Sequence, residues 1–297
     1  AAFAPGIEVV DHRILGTWSA RGAQALLQHY RSMLELADDT AFREDEILSL
    51  QSDAFLVRRT FSGTDRAGGG AFERQFIQLW TFGNDGLMTR LEYFDADRAA
   101  EALARFDELT AEPAAVRFAV RPSRATEKRE RRVRANAATA SADRFAAAIA
   151  AHDADALPAS LADSVEVMDH PTGATYDRRG LLITLRLLLR AQDRTIFYEH
   201  LATLGDSLAI SRASTAASGF AGRTFNVGAY EKEEIDLIEV DAQGRQRRIE
   251  VFAADRLGDA VVRSYERYAD LLPDGPARAR AAATARSVAT LVGPADR

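Results

Sequence analysis

The chain has 297 residues, 47% of them apolar, and 38 basic against 44 acidic side chains leave a net charge of −6. That length fits two ordinary domains, each apolar enough to bury its own core, and the mild negative charge gives no basic surface for nucleic acid. With no cysteine, disulfides, thiolate metal sites and a cysteine nucleophile are excluded.

Residues 7–12 alternate as a strand, with Ile7, Val9 and Asp11 on one face and Glu8, Val10 and His12 on the other. Arg21-Gly22 leads into a helix over 23–36, on which Leu26, Leu27, Tyr30 and Leu34 recur at helical spacing. Period-two segments at 47–50, 54–62, 71–82 and 87–94, separated by Ser52-Asp53, Gly63–Gly70 and Gly83–Gly86, predict strands in antiparallel hairpins. A helix from Asp97 to Leu109 closes this half, and residues 112–138 read as a basic, solvated linker.

The second half opens with a helix over 141–151, for which Ser141 is a fitting N-cap, and a short helical turn at 157–161. Strand 165–169, helix 181–190, strands near 197–204, 207–216, 224–240 and 247–252, and a helix over 255–271 repeat the order of the first half. The order reflects a duplication. Ile7–Gly22, IEVVDHRILGTWSARG, returns as Val165–Gly180, VEVMDHPTGATYDRRG, with seven of sixteen positions identical at an offset of 158. Glu92–Arg98 returns at Glu250–Arg256 with the same offset. Two domains are therefore expected, 1–111 and 139–273, followed by an Ala/Arg-rich tail at 274–297. The counterpart of the second copy's first helix would precede Ala1, so the chain reads as a fragment of a longer protein.

Helices leading into a long, turn-rich antiparallel sheet make an α+β fold. Residues 144–171, RFAAAIAAHDADALPASLADSVEVMDHP, resemble the opening of the NTF2-like superfamily, which includes the ketosteroid isomerases and the SnoaL-like polyketide cyclases. The resemblance implies two tandem cone-shaped α+β barrels, each a curved sheet wrapped around helices with a pocket at its wide end. FDADRAAEALARFDEL at 94–109 is similar to the tandem NTF2-like tails of large bacterial regulators that carry cyclase or ATPase domains upstream.

Asp169 shares its strand face with Val165 and Val167, which places a carboxylate beside an apolar interior, where burial raises a carboxyl pKa toward general-base use. The isomerase resemblance puts the general base at Asp169, with Asp11 as its repeat partner. It puts the phenol that donates to the oxyanion at Phe145, which has no hydroxyl, so steroid isomerisation is not expected. A second carboxylate in each copy, Glu199 and Glu46, suggests acid pairs like those of the tandem epoxide hydrolases of polyether assembly. Glu46 also reads as a solvated edge within Glu44-Asp45-Glu46. His12 and His170 follow Asp11 and Asp169 directly, so they point to the opposite face and are expected to be structural. Trp18 and Tyr176, in matching sequence positions, either wall a pocket or cap a core, and Tyr30 is a further ligand-binding candidate. Glu92 and Glu250, each two residues after an arginine on the same strand face, fit either a polar ligand or cross-strand pairs.

No histidine spacing suits a metal, no cofactor motif is present, and the longest apolar run, 181–189, is too short to span a bilayer. The leading expectation is a cytoplasmic module that binds a small apolar or amphipathic molecule or an interaction partner, not nucleic acid or membrane. The alternatives are an acid/base enzyme of the SnoaL-like or epoxide-hydrolase kind, and a structural role in a dimer or an intramolecular pseudo-dimer.

Overall fold

The computed structural model describes residues 2–16, 18–111, 131–191, 193–218, 220–221, 226–227 and 229–292. In chain order the first repeat comprises β1 (Phe3–Asp11), β2 (Ala20–Arg21), α1 (Ala23–Leu36), β3 (Ala37–Leu50), β4 (Ala54–Asp65), β5 (Ala71–Phe82), β6 (Met88–Asp95) and α2 (Ala99–Thr110). The second comprises α3 (Ala137–Ala150), α4 (Ala156–Ala159), β7 (Leu161–Asp169), β8 (Ala174–Asp177), α5 (Arg178–Arg190), β9 (Thr195–Leu204), β10 (Leu208–Ala217), the short β11 (Phe220–Ala221) and β12 (Asn226–Val227), β13 (Tyr230–Val240), β14 (Gln246–Ala253) and α6 (Leu257–Leu271). A last helix, α7, spans Pro276–Val292. The architecture is α+β, and the chain divides into one unit of Ala1–Arg132 with Pro273–Arg297 and a second of Val133–Leu272.

Each unit contains a six-stranded sheet of the same order, β2-β1-β6-β5-β4-β3 in the first and β8-β7-β14-β13-β10-β9 in the second. The expected antiparallel hairpins form, but the sheets are mixed: β1 lies parallel to β6, and β7 parallel to β14. The parallel pairing puts Asp11 beside Tyr93 and Asp169 beside Val251, contacts between the two ends of each repeat that local periodicity does not reveal. β3 begins at Ala37, ten residues before the expected strand; at the sheet edge its charged stretch ADDTAFREDE is tolerated as strand.

In the first unit the outer sheet face, Leu56, Ile77, Leu79 and Phe94, packs against Ala99, Ala102, Leu103 and Phe106 of α2. The inner face carries Ile7, Val9, Phe55, Val57, Trp80 and Leu91, all essentially fully buried. In the second unit Val165, Val167, Ile249 and Val251 of the inner face cluster with Phe145 and Ile149 of α3 and Leu181 and Leu185 of α5.

Two helix details differ from expectation. α3 is capped by Asn136, not Ser141: the Asn136 side chain accepts from the Ala138 and Thr139 amides, and Thr139 completes a reciprocal capping box. Residues 274–297, read as a tail, contain α7, which covers the inner face of the first unit. The Ser287 hydroxyl donates to the Gly86 carbonyl at 2.8 Å, and Arg59 donates to that of Leu291 at 3.2 Å. In the second unit α3 has the corresponding place: Arg144 donates to the carbonyl of Gly244, the repeat partner of Gly86, at 3.0 Å, and Ala138 and Ala142 pack on Ala209, Ile238 and Val240. Most of the basic linker lies outside the described residues. Arg131 and Arg132, at its end, pair with Glu46 and Asp107 in the first unit.

Candidate functional site

The inner face of the second unit changes along β13 from exposed to buried. Lys232 is exposed, Glu234 is partly buried and paired with it, Asp236 is 5% exposed, and Ile238 lies in the core. Period-two alternation puts all four on one face. Around this column stand Asp169 of β7, Tyr176 of β8 and Tyr198 of β9, backed by the apolar cluster of Val165, Val167, Leu181 and Leu185. A groove of about 760 Å³ runs along β7, β8 and α5; Val165, Tyr176, Leu182 and Arg186 are among its lining residues. Tyr176 joins groove to interior, because its hydroxyl donates to Asp169 Oδ2 at 3.1 Å.

The expected raised pKa of Asp169 is not found. Burial pushes this carboxyl up, but the Thr172 amide, 3.0 Å from Oδ1, and the Tyr176 hydroxyl outweigh it and hold Asp169 below the usual carboxylate range. The raised carboxyl is Asp236. Burial drives it well above its ordinary value, the negative charges of Glu234 and Asp169 push the same way, and Lys232 opposes them only in part. Among the described residues Asp236 Oδ1 has no hydrogen-bond partner. Burial, and behind it the neighbouring Asp236 and Glu234 carboxyls, likewise push the Tyr198 phenol well above its ordinary value. One side of this site thus holds a carboxyl kept low, Asp169, and the other holds two groups pushed up, Asp236 and Tyr198. Opposed shifts of this kind separate an acid from a base.

In the first unit the equivalent space is filled. Strand pairing aligns Gln78 with Asp236, Arg59 with Ala213 and Glu44 with Tyr198. Arg59 pairs with Glu44 at 2.7 Å, donates to Gln78 at 3.0 Å and lies over the Trp80 ring. Asp11 is gripped by Arg13 through two guanidinium bonds of 2.8 and 2.7 Å; these outweigh burial and hold its carboxyl down. Arg13 also covers the Tyr93 ring, and Tyr93 shares a 3.3 Å hydroxyl contact with Tyr30. Tyr30 is therefore part of a packed polar network, not the wall of an open pocket.

The remaining candidates are not brought together with Asp169. Glu199 lies on the face of β9 opposite Tyr198, 3.9 Å from Arg212, and Glu46, its counterpart, pairs with Arg58 at 3.2 Å and Arg131 at 3.0 Å. These are ion pairs of the outer face. Glu92 and Glu250 are fully buried beneath α2 and α6. Glu250 meets Arg263 at 2.8 Å and His170 at 3.0 Å; Glu92 meets Arg105 at 3.1 Å and His12 at 2.9 Å. His170 and His12 also stack on Phe252 and Phe94, which places them, as expected, away from the aspartates. Trp18 and Tyr176 are not equivalent: strand pairing puts Tyr176 opposite Val167 but Ala20 opposite Val9, and Trp18 stacks on His29 instead. Asp236 was missed because its strand was read only for alternation. The signal was present in the run Lys232, Glu234, Asp236 on the face that continues into Ile238.

No protein-family model matches the chain, and no curated protein matches it. Solved structures similar to it include NTF2-like and cyclase-like proteins, matched over 31–40% of this chain. A Mycobacterium tuberculosis protein in complex with estradiol-17beta-hemisuccinate is 14% identical with a TM-score of 0.34, over 39% of this chain and 93% of its own. An NTF2-like protein of unknown function from Exiguobacterium sp. 255-15 is 18% identical with a TM-score of 0.27, over 31% and 75%. An epoxide hydrolase/cyclase-like enzyme of pyran ring formation in the polyether salinomycin is 12% identical with a TM-score of 0.33, over 38% and 88%. Among the described residues no helix is long and apolar enough to cross a membrane.

Proposed function

We propose that the second unit binds a small, largely apolar molecule whose one polar oxygen is received by Asp236. The supporting observation is the placement of a buried carboxyl, pushed up by burial and with Oδ1 lacking a partner among the described residues, at the inner end of a polar column with an apolar wall beside it. A neutral carboxylic acid donates a strong hydrogen bond to a carbonyl or phenolate oxygen without adding a buried charge. The setting we propose is a cytoplasmic regulatory protein, for which the support is the sequence likeness at 94–109 and the absence of cysteine. The test is fluorescence titration of the full chain with 2-naphthol. Binding should weaken about tenfold in Asp236→Ala, the cost of one hydrogen bond, and stay unchanged in Asp11→Asn. Equal affinity in Asp236→Ala and the parent overturns the assignment.

A second reading is favoured by the opposed shifts of Asp169 and Asp236: acid/base chemistry in which Asp169 takes a proton from the bound molecule while Asp236 and Tyr198 donate to the oxygen on which charge develops. It replaces the pairings of Asp169 with Glu199 and Asp11 with Glu46. Its test is Asp169→Asn, which should keep affinity for a cyclic ketone while deuterium wash-in at the carbon next to the carbonyl falls. Unchanged wash-in rejects the base role.

A further inference from the structure

The groove along β7, β8 and α5 carries charges that the interior site does not use. Arg179 and Arg186 both line it, two turns apart on one side of α5, with Leu182 between them. Val165, Tyr176 and Leu182 give it an apolar strip. Its other charged groups are already engaged or solvated. Glu166 accepts from Arg248 at 2.5 Å, and Asp177 Oδ1 caps α5 by accepting from the Gly180 amide at 2.9 Å. Arg178 donates to the Pro158 carbonyl at 2.9 Å, and Asp163, 4.0 Å from it, has a side chain 88% exposed. Arg179 and Arg186 are exposed, and neither has an ion-pair partner among the described residues. The fold does not require this set. In the first unit Arg21 stands opposite Glu8 and pairs with it, where the second unit has Asp177 opposite Glu166. The two residues that follow are Gly22 and Ala23 in place of Arg178 and Arg179.

We propose that this groove is a second binding site, for a free amphipathic anion whose carboxylate head is held by Arg179 and Arg186 and whose apolar body lies on Val165, Tyr176 and Leu182. A guanidinium is charged at every physiological pH, and its planar fork matches a carboxylate, so two uncommitted arginines select an anion. Seven residues of helix separate them by about 10 Å along the axis, close enough for two long side chains to meet one head group above Leu182. The apolar strip then shields the rest of the molecule from water. A groove of about 760 Å³ is of the size that takes a small molecule, and its concavity suits a free amphiphile better than a flat bilayer surface. Asp236 is not among the lining residues, so the groove stands apart from the interior site.

The experiment is calorimetric titration of the full chain with octanoate at neutral pH, with 1-octanol as the uncharged counterpart. Octanoate should bind saturably, and 1-octanol about tenfold more weakly. Arg179→Gln and Arg186→Gln, both at exposed positions that folding tolerates, should each weaken octanoate up to about fivefold, the upper scale of an exposed ion pair, and together about tenfold or more. Rising salt should weaken the parent in the same direction. Arg190→Gln, on the same helix but outside the groove, should leave affinity unchanged. An equal loss there means diffuse positive charge and overturns the site, as does the absence of saturable binding by the parent or equal affinity for octanoate and 1-octanol. Asp236→Ala should bind octanoate as the parent does; a loss moves the ligand to the interior and overturns the groove. Sedimentation with phosphatidylserine/phosphatidylcholine vesicles separates the two sources of an anionic head. The chain should stay in the supernatant, and sedimentation without octanoate binding assigns the arginines to a lipid surface and overturns the free amphiphile.

Discussion

Arg13 holds Asp11 by two guanidinium hydrogen bonds, at 2.8 and 2.7 Å, and covers the Tyr93 ring beside it. At the matching place in the second repeat stands Pro171, so Asp169 relies on the Thr172 amide and the Tyr176 phenol instead. With Ala213 in place of Arg59, that pair of replacements separates a filled interior from a candidate site.

Asp236→Asn should stabilise the protein at neutral pH. The folded-state pKa of Asp236 is raised, so its contribution to stability is fully present below the unfolded carboxyl pKa and is lost as pH rises toward the folded value. The variant should gain about 1–3 kcal/mol at pH 7, the scale of an uncompensated buried polar group, and nothing at strongly acid pH. Thermal melts of parent and variant across pH measure this. A gain of the same size at all pH values contradicts it.

Glu250→Gln should act in the opposite sense. Burial raises this carboxyl, but Arg263 and His170 outweigh it and hold it low, so its contribution is present above the unfolded pKa and fades as pH falls through the folded one. Removing the charge leaves Arg263 facing a neutral amide beneath α6. The expected cost is about 3 kcal/mol at neutral pH, less in acid, read from urea unfolding.

Tyr176→Phe should let the Asp169 pKa rise by removing its 3.1 Å donor, and should cost about 1–2 kcal/mol. Carbon-detected NMR titration of the Asp169 carboxyl follows the shift. An unmoved titration means that the Thr172 amide alone sets its charge.

Gly86→Ala should loosen α7. Gly86 has a φ of +73°, and a Cβ there would come within 2.5 Å of Ala283 Cβ and the Thr284 amide. At Gly69, with a φ of +66° and nothing within 4 Å, alanine meets only backbone strain. Gly69→Ala should therefore cost about 1 kcal/mol and Gly86→Ala clearly more. Limited proteolysis should cut within α7 only in Gly86→Ala.

Asn136→Ala should cost about 1–2 kcal/mol through loss of the α3 capping box. Ser141→Ala should be neutral or mildly stabilising, because the Ser141 hydroxyl is buried with no partner among the described residues. Equal losses in the two melts place the cap elsewhere.

Local patterns made much of this legible. The 158-residue offset revealed the two repeats, and strand alternation correctly separated Asp11 from His12 and Asp169 from His170. The reason is physical: alternation is imposed by the strand itself and needs no partner. The same rule, applied to β9, puts Glu199 with Phe197 on the face away from Tyr198.

Contacts between distant segments decided the rest. That β1 lies parallel to β6, that Tyr176 and not Trp18 lies beside the first strand's inner face, and that α7 covers the first unit all depend on which segments meet. So does the charge of the site. A carboxyl's pKa is set by the desolvation and the donors around it, and these come from β7, β8, β9 and β13 only once the sheet has assembled. By itself the sequence determined a duplicated α+β chain with an inward-facing Asp169. Tertiary structure decided that the Asp169 carboxyl is held low and the Asp236 carboxyl pushed up, because only the folded sheet brings the Thr172 and Tyr176 donors to Asp169 and removes Asp236 from water.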